Sequence, residues 1–499
     1  MDQSLLTRFI SVFSGRIGDL LLSMMITPVL VRLLGASQYG DYAVMMSLLG
    51  MVMIAVNSGV FDGIRKYVSE ERSTELWTEH VFAFYTRIGA LFSAVAILAT
   101  LAIVRLGVVD RVFGAGFREY FYLLCFLILG VQVYQIGRGT LMGLGQEAYS
   151  EPFVVVQKAL FGVFAVALAW VGYGVGGVLF GYLLATVVCA IGTVALVRRH
   201  LSLGHLVKPL DPAFPRRELL SFNGLSIVLV LLMTSLYHVD ILLLQPLAGS
   251  EQTGYYKAAL VVAEFLWFAP FAIQLLLLQS SSQMWADERL ERITRIAGQV
   301  TRYTVLLTVL CALGIAALAD AFVGLYFGTE FTPAVVPLLL LLPGALGFAV
   351  VRPILAIGQG RGALRVLIAA TGVAAGMNLL LNVALIPLYG MRGAAVATSI
   401  GYGSMFVFHV WSARRIGFDP LADLRPRAVI VTALASAPVI FGVDALIQSP
   451  VRSLILVPPA GFVAFVGAAF ATGAVRTADV REALDGLPID SQRLKRVLD

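Results

Sequence analysis

Polar residues in this chain are sparse and bunched, and between the bunches run apolar stretches of twenty or more residues. About twenty apolar residues in a helix cross the roughly 30 Å hydrocarbon layer of a bilayer. Strands of a closed barrel would instead alternate over about ten residues. The runs here are continuous. They predict an all-α polytopic membrane protein with fourteen spans, near 9–34, 39–63, 80–104, 120–143, 152–171, 175–197, 219–247, 253–283, 298–325, 332–356, 364–386, 390–413, 427–447 and 451–474. The first run contains charges, continues through Leu34 and has no small-residue cleavage site, so it reads as a span and not as a removable signal.

The polar joints then alternate between two sides. One side collects Arg8, the Arg65/Lys66/Arg72 cluster, Arg138, Arg198, Arg199, Lys208, Arg216 and Arg217, and further arginines to the basic tail. The other holds mainly Arg32, Arg105, Arg111, Arg118, Arg392 and Arg452. The positive-inside rule makes the rich side cytoplasmic, with both termini on it, in a multi-pass protein of the cell membrane. Residues 199–218 (HLSLGHLVKPLDPAFPRRE from His200) read as a basic, amphipathic cytoplasmic linker along that interface, and 475–499 as a charged cytoplasmic tail.

The pattern also repeats. LLGASQYGDY from Leu33 matches LAGSEQTGYY from Leu247 at Leu33, Gly35, Gln38, Gly40 and Tyr42. Arg138 and Arg352 keep the same offset of 214. Gly143 and Gly145 find Gly358 and Gly360 at 215, and Tyr173, Gly174 and Gly177 find Tyr389, Gly390 and Gly393 at 216. Landmarks in constant register indicate a tandem duplication. Six spans per copy is an even number, so both copies enter the membrane the same way. The expected architecture is an N-lobe (1–198) and a C-lobe (219–413) in parallel pseudo-symmetry about the membrane normal, plus two C-terminal helices (427–474).

At these residues the chain resembles the polysaccharide-flippase branch of the multidrug/oligosaccharidyl-lipid/polysaccharide exporter superfamily. LLGASQYGDYAVMMSLL, DILLLQPLAGSEQTGYYKAAL and PLYGMRGAAVATSIGYG carry the resemblance, which extends over nearly the whole chain. It implies translocation of an isoprenoid-phosphate-linked oligosaccharide from the cytoplasmic to the outer leaflet, for surface polysaccharide assembly or protein glycosylation, without bond-making chemistry. The carrier would be undecaprenyl diphosphate in a bacterium or a dolichol phosphate in an archaeon. A glycan polymerase or an oligosaccharyltransferase would then act downstream.

Composition agrees with the pattern: 59% hydrophobic, 13% charged, mean hydropathy +0.88, where soluble domains carry about 25% charged residues. The net charge of +6 sits in cytoplasmic joints and is no nucleic-acid signature. Cys125, Cys189 and Cys311 lie in apolar runs, which speaks for packing and against disulfides or metal. No phosphate-binding glycine loop and no HExxH occurs, and no cofactor or metal is expected.

Ionisable residues inside spans cost about 2.5–3.5 kcal/mol on insertion scales and usually face a cavity or a partner. Arg16 and Asp19 share one face of the first span. They read either as a self-neutralising pair or as cleft residues, with Arg16 on a phosphate. The matching span in the second copy carries His238 and Asp240. Glu264 reads as a proton or cation site, or as a protonated carboxyl bonded to a neighbouring helix. Arg87 reads as a cleft residue or as a side chain that snorkels to the interface, and Arg138, at the end of a polar stripe with Gln132, Tyr134 and Gln135, reads with them as a cleft group that contacts sugar or as part of interhelical hydrogen bonding. Asp62 and Arg65 mark the cytoplasmic mouth or an ordinary charged helix end. Lys158, Lys257 and Arg302 read as snorkelling side chains. Two other functions compete. A cation-coupled multidrug antiporter of the same superfamily would use the acidic groups Asp19, Asp240 and Glu264. A membrane-embedded glycosyltransferase would need a large outer loop that the pattern lacks.

Overall fold

A computed structural model describes residues 3–57, 59–72, 76–221, 224–287 and 289–479, with side chains from residue 18 onward, that of Gln279 excepted. Arg16 and the tail from 480 therefore fall outside the described side chains. The protein is 88% helical, with no strand among the described residues. Among the described residues, eleven helical runs are long and apolar enough to cross a membrane.

Three of these runs are too long for one crossing. Gly18–Asn57, Glu147–Val197 and Leu364–Ile416 cover 40, 51 and 53 residues, and a straight 53-residue helix would measure about 80 Å. Each is broken at glycine. Gly35 has φ 67° and ψ 175°, Gly174 has φ 53° and ψ −140°, and Gly390 has φ 55° and ψ −133°. Residues with a Cβ rarely tolerate this backbone. The breaks keep the register of the sequence repeat: Gly174 and Gly390 are 216 apart, and Gly249, 214 after Gly35, also has positive φ (91°).

By compactness the chain divides into two units. The first comprises Met1–Lys257 with Leu379–Ala394, the second Ala258–Asn378 with Ala395–Asp499.

In the first unit the repeated motif makes two kinds of contact. Gln38 and Gln252 each sit at a helix break. A Cβ on Gly174 would lie 2.8 Å from Gln38 Oε1, and one on Gly390 would lie 2.1 Å from Gln252 Oε1. Gln252 Oε1 accepts the Met391 N–H at 3.0 Å, which supplies a partner for a backbone group freed at the break. Gly40 and Gly254 form the second contact. A Cβ on Gly40 would meet the Ser250 carbonyl at 1.9 Å, and one on Gly254 would meet the Ala36 carbonyl at 1.9 Å. Ser250 lies 214 residues after Ala36, as Gly254 lies after Gly40, so the contact is reciprocal. Glycine is required because backbone meets backbone.

The same unit holds a packed base beneath the helices Val60–Val68 and Trp77–Arg105, with Ile64, Tyr67, Trp77, Phe84, Phe214 and Leu219 in its core. The linker after residue 199 is fastened there. The Phe214 ring lies 5.4 Å from both Trp77 and Phe84, and Tyr85 donates to the Leu219 carbonyl at 3.1 Å. Arg72 stacks over Trp77 at 4.3 Å and donates to Glu70 and Glu218. Those hydrogen bonds hold its guanidinium pKa above the usual value.

In the second unit Trp267, Phe348 and Tyr402 form one aromatic cluster. Arg352 lies 5.3 Å from each of the Trp267, Phe271 and Phe348 rings and donates to Gln274 at 3.2 Å. The helices Pro426–Leu446 and Pro450–Ala471 lie at the positions expected for the last two spans. Arg302 does not snorkel. It is fully buried, with Nη1 3.0 Å from Asp423 and Nη2 2.9 Å from Asp479.

Candidate functional site: an acceptor-lined cavity with a cationic rim

The long N-terminal helix ends at Asn57, and Gly59, with φ 72°, turns the chain into Val60–Val68. This turn and the helix Gly224–Ala248 enclose a cavity of about 260 Å³ lined by Gly50, Met53, Asn57, Phe61, Asp62, Ser226 and Val230 among others. The interior offers acceptors. Asn57 Oδ1 is buried and has no hydrogen-bond partner among the described residues. A buried polar atom in that state calls for a water or a ligand.

The rim is cationic. Phe61 and Arg65 are four residues apart on one helical face, and the Arg65 guanidinium lies 5.9 Å from the Phe61 ring. Arg138 approaches the same ring at 5.4 Å. Arg65 pairs with Asp62 at 3.4 Å, both half-exposed. Arg138 pairs with Glu151 at 2.8 Å, where Glu151 is only 4% exposed. Guanidinium forks fit phosphate oxygens in pairs. The buried Asn57 carbonyl oxygen and the half-exposed Asp62 carboxylate beside an aromatic ring fit the hydroxyls and C–H faces of a sugar.

The other predicted residues do not gather here. Asp19 is 3.8 Å from Lys158, so lysine joins it whatever Arg16 does. Arg87 neither snorkels nor faces a cleft: it donates to the carbonyls of Leu206 (3.0 Å), His205 (3.2 Å) and Lys208, clamping the linker. Asp240 is fully buried and accepts from the Tyr256 hydroxyl and the Ile241 N–H, which makes it an anchor between neighbouring helices. His238 is 3.2 Å from Ser47 Oγ and packs on Gly50, behind the cavity wall. Glu264 opens a tight turn, Glu264–Trp267, in the second unit, and has no ion pair among the described residues. Gln132 is buried against Gly89 between two helices, with neither end of its amide hydrogen-bonded among the described residues. Asn57, Phe61 and Ser226 escaped the sequence reading. Their signal was the NSG triplet at a predicted helix end beside the Asp62/Arg65 pair.

A family model described as "Polysaccharide biosynthesis protein" matches residues 5–266, just over half of the 499. The chain belongs to that family. This polysaccharide biosynthesis protein is 23% identical over 434 residues to the probable low-salt glycan biosynthesis flippase Agl15 of Haloferax volcanii, across 84% of this chain and 86% of that one. It is 24% identical over 169 residues to the uncharacterized membrane protein MJ1068 of Methanocaldococcus jannaschii, 32% of each chain. Among solved structures, the lipid II flippase MurJ in an inward closed conformation matches with a TM-score of 0.73 at 14% identity, over 93% of this chain and 98% of that one. An inward-facing multidrug resistance MATE family transporter matches with a TM-score of 0.62 at 16% identity, over 79% and 94%. At such identities the likeness is one of fold.

Proposed function

We propose that this chain is a flippase that carries an isoprenoid-phosphate-linked oligosaccharide from the cytoplasmic to the outer leaflet of the cell membrane. The observation that carries the reading is the cationic rim over an acceptor-lined cavity: Arg65 and Arg138 flank Phe61, and Asn57 waits inside with an unmatched oxygen. The rim would take the phosphate and the cavity the first sugar. Family membership and the flippase names of the relatives support a transporter and not a catalyst. The partners are the lipid-linked glycan and the surrounding lipids, with a polymerase or oligosaccharyltransferase downstream, and the carrier is a dolichol phosphate if the source is archaeal. Counting each of the three long runs as two crossings, split at its glycine, would bring the eleven runs among the described residues to fourteen, and an even number agrees with both termini lying in the cytoplasm. The reciprocal contact of Gly40 and Gly254, inside the first unit, supports a tandem duplication. The antiporter reading loses support because Asp19 and Asp240 already have partners.

Deleting the gene should strand the lipid-linked glycan on the cytoplasmic face with its synthesis intact. Accessibility of the glycan in inside-out and right-side-out vesicles reads this, and failure to assemble the glycan would point to an enzyme instead. Arg65→Gln should reduce export about tenfold at unchanged membrane level, the loss of one charge-assisted phosphate contact. Arg138→Gln alone would leave Glu151 buried and unpaired, so the informative variant is Arg138→Gln with Glu151→Gln. Normal export in both Arg65→Gln and that double variant sinks the rim as the phosphate site.

A further inference from the structure

A second concavity lies in the first unit, apart from the candidate site. The helices Phe117–Gly143 and Gly174–Val197 border a groove of about 560 Å³. Leu183, Val187, Ile191 and Arg198 recur along one face of the second helix and its C-cap, and Leu129 and Val133 wall the other side. At about 1.5 Å per residue, Leu183 to Arg198 covers roughly 22 Å, more than the roughly 15 Å depth of one leaflet of hydrocarbon. Leu129 is 50% and Ile191 66% exposed, so none of the described residues fills the groove. In a membrane, hydrocarbon must.

The mouth of the groove has a sign. No lining residue is acidic, and the one charge is Arg198 at the end of the stripe. Arg198 is exposed, and its guanidinium has no hydrogen bond or ion pair among the described residues. Its neighbour Arg199 is exposed too. Basic groups where a groove between helices meets the headgroup layer attract anionic lipids, and a guanidinium binds phosphate oxygens bidentately.

We infer that this groove is a binding site for an anionic phospholipid, one acyl chain lying along Leu183 to Ile191 and the phosphate on Arg198. The groove has room because Gly130 lies in its lining. A Cβ there would reach Leu183 at 3.5 Å and Thr186 at 3.7 Å, ordinary contact, so a larger side chain would fit the backbone and project into the lipid's volume.

The test uses the full chain purified in detergent. Bound lipids are counted by native mass spectrometry during titration with phosphatidylglycerol or phosphatidylcholine of identical acyl chains. The wild type should hold one phosphatidylglycerol about fivefold more tightly than phosphatidylcholine, the weight of one basic residue near an anionic headgroup. Arg198→Gln should erase that preference, weakening phosphatidylglycerol more than phosphatidylcholine, whose choline cation already offsets its phosphate. Gly130→Leu should lose both lipids. If Gly130→Leu does not fold, as judged by a monodisperse elution profile, Ala195→Leu, an exposed lining residue, fills the groove instead. A preference that survives Arg198→Gln, or retention that survives the filling variant, overturns the site. Adding undecaprenyl phosphate should leave phosphatidylglycerol bound. One-for-one displacement would give the groove to the transported lipid and overturn the phospholipid assignment.

Discussion

Gly40→Ala is expected to abolish glycan export and to reduce folded protein in the membrane at least fivefold. A single methyl group causes this because of what it would meet: the Ser250 carbonyl at 1.9 Å and the Gly254 backbone nitrogen at 2.9 Å. Neither is the end of a flexible side chain. The two segments would have to separate by more than an ångström along their contact. Overpacking a closely packed contact costs about 1–3 kcal/mol even where side chains can shift. Gly254→Ala should behave alike, since its Cβ would meet the Ala36 carbonyl at the same distance. The two changes open one contact, so the double variant should cost less than the sum of the singles. Gly116→Ala, with nothing within 4 Å, is the control and should be neutral. Export and membrane level near wild type in Gly40→Ala would mean that the close approach is not maintained in the working protein.

Arg302→Met should give the second large effect, a loss of about 3 kcal/mol in stability, because it removes the fully buried cation shared by Asp423 and Asp479 and leaves Arg425 alone to offset two carboxylates. Arg302 is 0% exposed and holds Asp423 and Asp479, while Arg425 holds the same two acids at 3.0 and 3.4 Å and the Gly473 carbonyl at 3.0 Å. Burial disfavours the charged form of Asp479, but the Arg476 N–H and the two arginines outweigh it and keep its pKa below the usual value. A depressed carboxylate stabilises the fold at pH values above its unfolded pKa of about 3.9, and that contribution fades as pH falls through the folded value. Thermal unfolding of the detergent-solubilised protein would read the loss. Adding Asp423→Asn and Asp479→Asn to Arg302→Met should recover part of it. No recovery would mean that the arginine contributes by filling space and not by charge.

The apolar runs made the membrane helices legible from sequence. The predicted 80–104, 120–143 and 427–447 lie inside or within a residue of Trp77–Arg105, Phe117–Gly143 and Pro426–Leu446. Hydropathy does not see backbone geometry, so the separate helix Val60–Val68 and the tight turn at Glu264 were absorbed into longer spans. The repeat was legible as a pattern, but its reason needed coordinates. Gln38 and Gln252 are polar in apolar surroundings because they sit at glycine breaks far away in sequence. The charges were hardest to read. Arg87, Arg138 and Asp240 looked like candidates for the cleft, and Arg302 like a snorkelling side chain. Their partners, at Leu206, Glu151, Tyr256 and Asp423, lie from 13 to 121 residues away. A single sequence gives the cost of such a charge and not the group that offsets it.

The fastened linker has a consequence for how the chain could be divided. Leu201, Leu203 and Leu206 pack into the base from one end of it, and Phe214 and Leu219 from the other. Arg87 grips backbone carbonyls of residues 205 to 208, and Arg72 holds Glu218. Each end is thus attached to the same helices without help from the peptide bonds between them. Leu210 still packs on the base, whereas residues 211–213 make only a local turn, with the Ala213 N–H on Asp211, and a gene split there encodes two polypeptides that, made together, have the contacts to find one another and form one transporter.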